Sequence, residues 1–230
     1  MTIAIIGAMQ QEIEILRQQL DNCQEDKHGP VTLFCGFLAG HKVVLVLSGV
    51  GKTAAAMATT LVIDRYKPKF VINTGSAGGY ASDLNIGDLV ISSEVRHHDV
   101  DLTAFGFAMG QGFGFPESFH ADPALIDKAQ QAASKQPELQ CKVGLICSGD
   151  SFMDCPERVA TARRHFPDMI AVEMEAAPIA QVCQQFQTPF VVIRALSDIA
   201  GKESHQSFDS FLAQAAQHSS KLVVDFLESF

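Results

Sequence analysis

The sequence predicts an α/β fold in which a central mixed, largely parallel sheet is covered by helices on both sides, a three-layer α/β/α arrangement. Three observations carry this expectation. Short β-branched runs alternate with segments of helical periodicity, many of the runs are apolar throughout, as in strands covered on both faces, and nothing in the 230 residues reads as a linker. One domain over residues 1–230 is therefore expected.

In chain order the strand candidates are TIAIIG (2–7), VTLFCGFLAG (31–40), KVVLVLS (42–48), FVINTG (70–75), DLVISSE (88–94), KVGLICSG (142–149), MIAVE (169–173) and FVVIRAL (190–196). Helical patterns fill 9–21, 52–66, 122–135, 156–165, 174–186 and 207–228. The first run has no basic segment ahead of it and is too short to span a membrane, so it reads as a strand and not as a signal peptide. Too little chain separates the second and third runs for a crossover, which makes them an antiparallel hairpin and the sheet mixed. Pro123 and Pro156 stand where a first helical turn tolerates proline, each beside an acidic residue suited to a helix N-terminus.

Composition narrows the partners. Hydrophobic residues make up 47% and charged residues 19%, the profile of an ordinary packed domain. A net charge of -9 and a pI near 5.3, with no basic cluster to offset them, disfavour a nucleic-acid partner and favour small molecules. No membrane association is expected. The six cysteines have no metal-binding or redox spacing, which fits a reducing cytoplasm.

Ligands of open α/β sheets sit beyond the carboxyl ends of the strands, so the residues there matter most. SGVGKTAAA (48–56) ends like a phosphate loop, but the position of its first glycine is Val46, and a tight strand-to-helix turn is the simpler reading. NTGSAGG (73–79) resembles a dinucleotide fingerprint, yet a turn and another strand follow it instead of the required helix. Its glycines at 75, 78 and 79 still allow a ligand close to the backbone. In HHDVD (97–101) a strand would align His97, Asp99 and Asp101 as metal ligands, but no second ligand cluster accompanies them, and a solvated strand end is expected.

Five segments, IIGAMQQE (5–12), NTGSAGG (73–79), SGDSFM (148–153), AVEMEAAPIA (171–180) and RALSDIA (194–200), resemble the signature segments of the bacterial 5′-methylthioadenosine/S-adenosylhomocysteine nucleosidases, in the same order. The resemblance implies a nucleoside phosphorylase-like fold, a homodimer, adenine thionucleosides as small-molecule substrates, and neither metal nor other cofactor. Breaking an N-glycosidic bond to adenine needs an acid, because adenine leaves poorly as an anion while the ribosyl group becomes cationic. Asp198 is the candidate for protonating N7, its carboxyl kept protonated by burial and placed by Ser197. Phe152 offers a flat face for the base and Met153 its backbone edge. Ser76, Ala77 and Gly78 belong to the same binding surface.

By resemblance Glu175 grips the ribose hydroxyls and Met174 packs on the sugar. If 171–175 stays extended, Glu173 and Glu175 share a face; if a helix begins there they diverge, and an acidic helix N-terminus would account for them without any ligand. Glu12 is the candidate base for water, helped by Ser76 and Arg194, although a first-turn acid complementing the helix dipole is the local alternative. A carboxylate there would repel phosphate and so favours hydrolysis. The resemblance places the 5′ substituent in an apolar pocket of Met9, Val50, Met174 and Phe208, completed by Leu102, Phe105 and Phe113 of a neighbouring subunit. The rivals are a purine nucleoside phosphorylase, a futalosine-type nucleosidase and a non-catalytic nucleoside-binding protein. In RALSDIAGKES (194–204), Arg194, Ser197 and Asp198 are expected to face the site and Gly201, Lys202 and Glu203 to form a solvated turn.

Overall fold

Successive residues of β1 (Thr2–Gly7) divide between two apolar clusters, Ile3 and Ile5 in one and Ala4 and Ile6 in the other, so both faces of the strand are buried. The computed structural model describes residues 1–202 and 204–230. After β1 come α1 (Gln10–Gln18), β2 (Asp21–His28), β3 (Val31–Leu38), β4 (His41–Leu47), α2 (Lys52–Tyr66), β5 (Val71–Gly79), β6 (Leu89–His97), β7 (Phe119–His120) and α3 (Pro123–Ala133). The chain continues through β8 (Cys141–Ser148), α4 (Pro156–His165), β9 (Met169–Glu173), α5 (Ala176–Gln185), β10 (Phe190–Ile199) and α6 (Ser204–Leu227).

The strands form one mixed sheet, in the order β10-β6-β8-β9-β5-β1-β4-β3-β2. β1 pairs in parallel with β4 and β5, and the β3–β4 hairpin is antiparallel as the short connection requires. One apolar cluster takes in Ala55, Ala58 and Val62 of α2 with Ala176, Ile179 and Cys183 of α5. The other takes in Ile13 and Leu16 of α1, Leu125 and Ala129 of α3, and Leu222 and Phe226 of α6. The prolines act as the sequence requires: Pro123 opens α3, with the Asp122 carboxylate accepting from Ala124 and Leu125 N–H, and Pro156 opens α4.

β10 pairs with β5 on one side and β6 on the other, and β6, β8, β9 and β5 are themselves paired in succession. Five strands thus close on themselves. Closure draws the glycine-rich end of β5 between β9 and β10, with Gly78 opposite both Val172 and Asp198. A register shift in β10 between Leu196 and Asp198 adds a residue there, the kind of bulge that re-aims side chains.

Several sequence expectations need correction. β2 was not expected, because DNCQEDKH is almost wholly exposed and carries no alternating apolar signal; it is an edge strand held only through β3. The first helix accordingly stops at Gln18 instead of running to 21. β5 and β10 run past their apolar cores to Gly79 and Ile199, because ladder hydrogen bonds across the closed strands hold them extended. HHDVD is a solvated strand end only in part: Asp99 and Asp101 are exposed, but His97 and His98 are buried, and β6 stops at His97, so the alternation that would align Asp99 and Asp101 is absent. Among the described residues no group of three or more His, Cys, Asp or Glu side chains is placed to hold a metal ion, and no helix is long and apolar enough to cross a membrane. Glu203 lies outside the described residues.

Candidate active site

Where β1, β5, β9 and β10 end, their last residues and the loops after them enclose a cavity of about 180 Å³. Four carboxylates line it, those of Glu12, Glu173, Glu175 and Asp198. Each is held differently.

Glu12 stands in the first turn of α1, where its carboxylate folds back over the helix start. Oε2 accepts from Ala8 and Met9 N–H at 3.0 and 3.1 Å, and Oε1 accepts from the N–H and the hydroxyl of Ser76, both at 2.8 Å. The bond from Met9 satisfies the N–H of the helix N-cap, so part of the helix-terminus reading is correct, and the bond from Ala8 comes from the residue before it. The Ser76 bonds come from β5, 64 residues away, and tie the carboxylate to the cavity wall. A helix cap alone has no use for them.

Arg194 on β10 is fully buried and answers two carboxylates. Nη2 donates to Glu173 Oε2 at 2.5 Å and to Glu175 Oε2 at 3.2 Å, and also to Asn73 Oδ1 at 2.9 Å. Nη1 donates to the Ser76 carbonyl at 3.2 Å and lies 3.9 Å from Glu12 Oε1. Arg194 is fully buried and is not among the residues that line the cavity; it lies against the carboxylates of Glu173 and Glu175, which do. Burial opposes its charge, but Glu173, Glu175 and Glu12 together raise its pKa above the ordinary arginine value.

A helix does begin after Glu173, yet the two glutamates converge. Glu173 closes β9 and its Oε2 accepts the Glu175 and Ala176 N–H groups at 2.9 and 2.8 Å, capping α5 from outside, while the Ser148 hydroxyl donates to Oε1. Glu175 turns the other way, with Oε1 accepting from the Gly51 N–H at 2.9 Å. Burial pushes the Glu175 carboxyl up to about 7 against the pull of Arg194, and the charges of Glu173 and Glu12 push in the same direction.

Asp198, 3% exposed, sits on the β10 bulge and takes a 2.9 Å hydrogen bond from the Ser197 hydroxyl. Nearby Phe152 and Phe208 meet edge to face, their centroids 5.7 Å apart, and Met153 is buried beside them. Met9, Val50, Ser76, Ala77, Gly78, Met174 and Ser197 complete the expected lining. Ala8, Ser151 and Val172 line the cavity as well, and sequence reasoning gave them no role because small or apolar residues in signature segments look like scaffold. Asn73, which orients Arg194, opens the NTGSAGG segment and was equally missed. Leu102, Phe105 and Phe113 are not brought to the cavity of their own chain; Phe105 and Phe113 are each 79% exposed.

A family model described as the Phosphorylase superfamily matches residues 2–228. A 5′-methylthioadenosine/S-adenosylhomocysteine nucleosidase of Bacillus thuringiensis (strain Al Hakam) is 54% identical over 228 residues, covering 99% of each chain. The crystal structure of the Neisseria meningitidis nucleosidase in complex with methylthio-immucillin-A is similar with a TM-score of 0.98 at 49% identity, over 100% of this chain and 99% of that one. The Colwellia psychrerythraea 34H nucleosidase in complex with adenine gives 0.97 at 50% identity, over 99% and 94%. With its carboxylate-lined cavity and this likeness along its whole length, the chain belongs to the 5′-methylthioadenosine/S-adenosylhomocysteine nucleosidase family of the phosphorylase superfamily.

Proposed function

We propose that this protein hydrolyses the N-glycosidic bond of 5′-methylthioadenosine and S-adenosylhomocysteine, releasing adenine and the 5-thioribose sugar. One observation carries hydrolysis over phosphorolysis: among the described residues that line the cavity there is no arginine, lysine or histidine, while four carboxylates face it. Such a wall offers phosphate no cation to bind, and those of its carboxylates that are ionised favour a cationic sugar.

In this reading Asp198 gives a proton to adenine N7 as the bond to the anomeric carbon lengthens, and Glu12 takes a proton from the water that attacks the sugar. Ser197 holds the acid and Ser76 the base. Glu175 grips the ribose hydroxyls with Met174 against the ring, and Phe152 and Met153 receive the adenine. Arg194 keeps Glu173 and Glu175 together without touching substrate. Met9, Val50 and Phe208 take the 5′ thioether, and Leu102, Phe105 and Phe113 of a second copy close the pocket in a homodimer. The exposure of Phe105 and Phe113 on a single chain supports that assignment, since large apolar side chains left in water often mark interfaces.

We further read the architecture as one three-layer α/β/α domain and the protein as cytoplasmic. Incubation with each thionucleoside in phosphate-free buffer should release adenine and a free thioribose. Strict dependence on phosphate would replace hydrolysis with phosphorolysis.

A further inference from the structure

Asp99, Asp150 and Lys52 close a ring of three hydrogen bonds just outside the cavity. Asp99 Oδ1 accepts from Lys52 Nζ at 2.6 Å, Asp99 Oδ2 accepts from the Asp150 N–H at 2.9 Å, and Asp150 Oδ1 accepts from the Lys52 N–H at 2.7 Å. The residues come from three separate places: beyond β6, beyond β8 and the first turn of α2. None of them lines the cavity.

Asp150 and Lys52, however, lie next to segments that do. Asp150 precedes Ser151, Phe152 and Met153, an irregular segment whose neighbours are held by a Gly149 N–H to Glu173 carbonyl bond and a Gly201 N–H to Met153 carbonyl bond, both at 3.2 Å. Lys52 follows Val50, which lines the cavity, and Gly51, whose N–H binds Glu175. A Cβ on Gly51 would stand 3.0 Å from Asp150 Oδ1, so the two segments meet with no side chain between them. Asp99 is thus the common acceptor for the wall that carries the base platform and for the turn that steadies the sugar carboxylate.

We propose that Asp99 is a positioning residue of the nucleosidase reaction: without touching substrate, it holds the Phe152–Met153 platform in register with Glu175 through the Asp150 N–H and Lys52. The inference rests on the function proposed above, which assigns the base and the sugar to those two walls. Bonds to a charged acceptor are among the stronger ones, and both of these belong to one carboxylate, so its neutralisation loosens both walls at once.

The test is Asp99→Asn in the full-length protein, with kcat and KM measured for 5′-methylthioadenosine, the Kd of adenine by titration calorimetry, and the melting temperature. KM and the adenine Kd should rise together by about tenfold while kcat stays within about twofold. Lys52→Met should reproduce this split and Lys52→Arg should restore most of the affinity. Unchanged KM and Kd would overturn the proposal, and so would a fall in kcat that follows the melting temperature while KM stays put, since that is what simple structural support gives. If Asp99→Asn does not fold, the two Lys52 variants carry the same readouts. If the unaltered protein releases no adenine, the proposed reaction fails instead, and the adenine titration still tests the ring by itself.

Discussion

Ser76 gives both its backbone N–H and its hydroxyl to one oxygen of Glu12, each at 2.8 Å, while the other oxygen takes two N–H groups from residues 8 and 9. Each oxygen of the carboxylate therefore faces two donors. An amide in its place must turn its NH₂ toward a pair of N–H or O–H donors whichever way it is flipped. Glu12→Gln should consequently cost about 1–3 kcal/mol of stability, measurable by urea unfolding, besides lowering adenine release by about 10²–10⁴-fold. Turnover at the normal rate would remove Glu12 from the chemistry.

Asp198 is assigned to the leaving group and not to the water, and the two roles separate by choice of substrate. Asp198→Asn keeps the size of the side chain and an acceptor for Ser197. Release of adenine should fall by about 10²–10⁴-fold, the usual worth of a positioned acid. A riboside of 4-nitrophenol, which leaves as a stable anion, should be cleaved by the variant at nearly the rate of the parent protein. Equal losses on both substrates would contradict the assignment.

Burial holds the Glu175 carboxyl at about 7, well above its ordinary 4.5. Between those values the folded protein keeps a proton on Glu175 that the unfolded chain has released, so the contribution of this one group to stability is greatest below about pH 4.5 and declines as pH rises toward 7. The whole difference is about 3 kcal/mol. Glu175→Gln cannot titrate there. Subtracting its unfolding free energy from that of the unaltered protein at each pH should give a difference that falls across this window, and a flat difference would show that Glu175 is already ionised at low pH.

Much of this was legible in the sequence. Apolar runs such as IIG, VVLVL and FVVI announce strands buried on both faces, and Glu12, Glu175 and Asp198 stand beside them at the strand ends where α/β proteins bind ligands. What local pattern could not supply was long-range pairing. β2 shows no alternation because an exposed edge strand needs none. The place of Arg194 depends on Asn73, Glu173 and Glu175, and the burial of His97 and His98 on α5 and the loop after β8: His97 bonds to Gln181, and a side chain at Gly149 would strike the His98 ring. None of these neighbours is close in sequence.

Gly75 separates Glu12 from Arg194, and space there is the scarce quantity. A Cβ on this residue would lie 2.5 Å from Glu12 Oε1 and 2.6 Å from Arg194 Nη1, and its φ of +141° is one that other residues rarely adopt. Gly40, in the β3–β4 turn, has a φ of +80°, but a methyl group there would meet nothing within 4 Å. Gly40→Ala should thus cost only the backbone strain, about 1–2 kcal/mol, and leave turnover alone. Gly75→Ala should add a steric cost of about 1–3 kcal/mol and displace the Glu12 carboxylate, and a shift of about 1 Å at a reacting group can cost about 10²-fold in rate. The two variants, compared by urea unfolding and adenine release, separate strain from placement. Normal turnover in Gly75→Ala would mean that the position of Glu12 against Ser76 does not matter to the reaction.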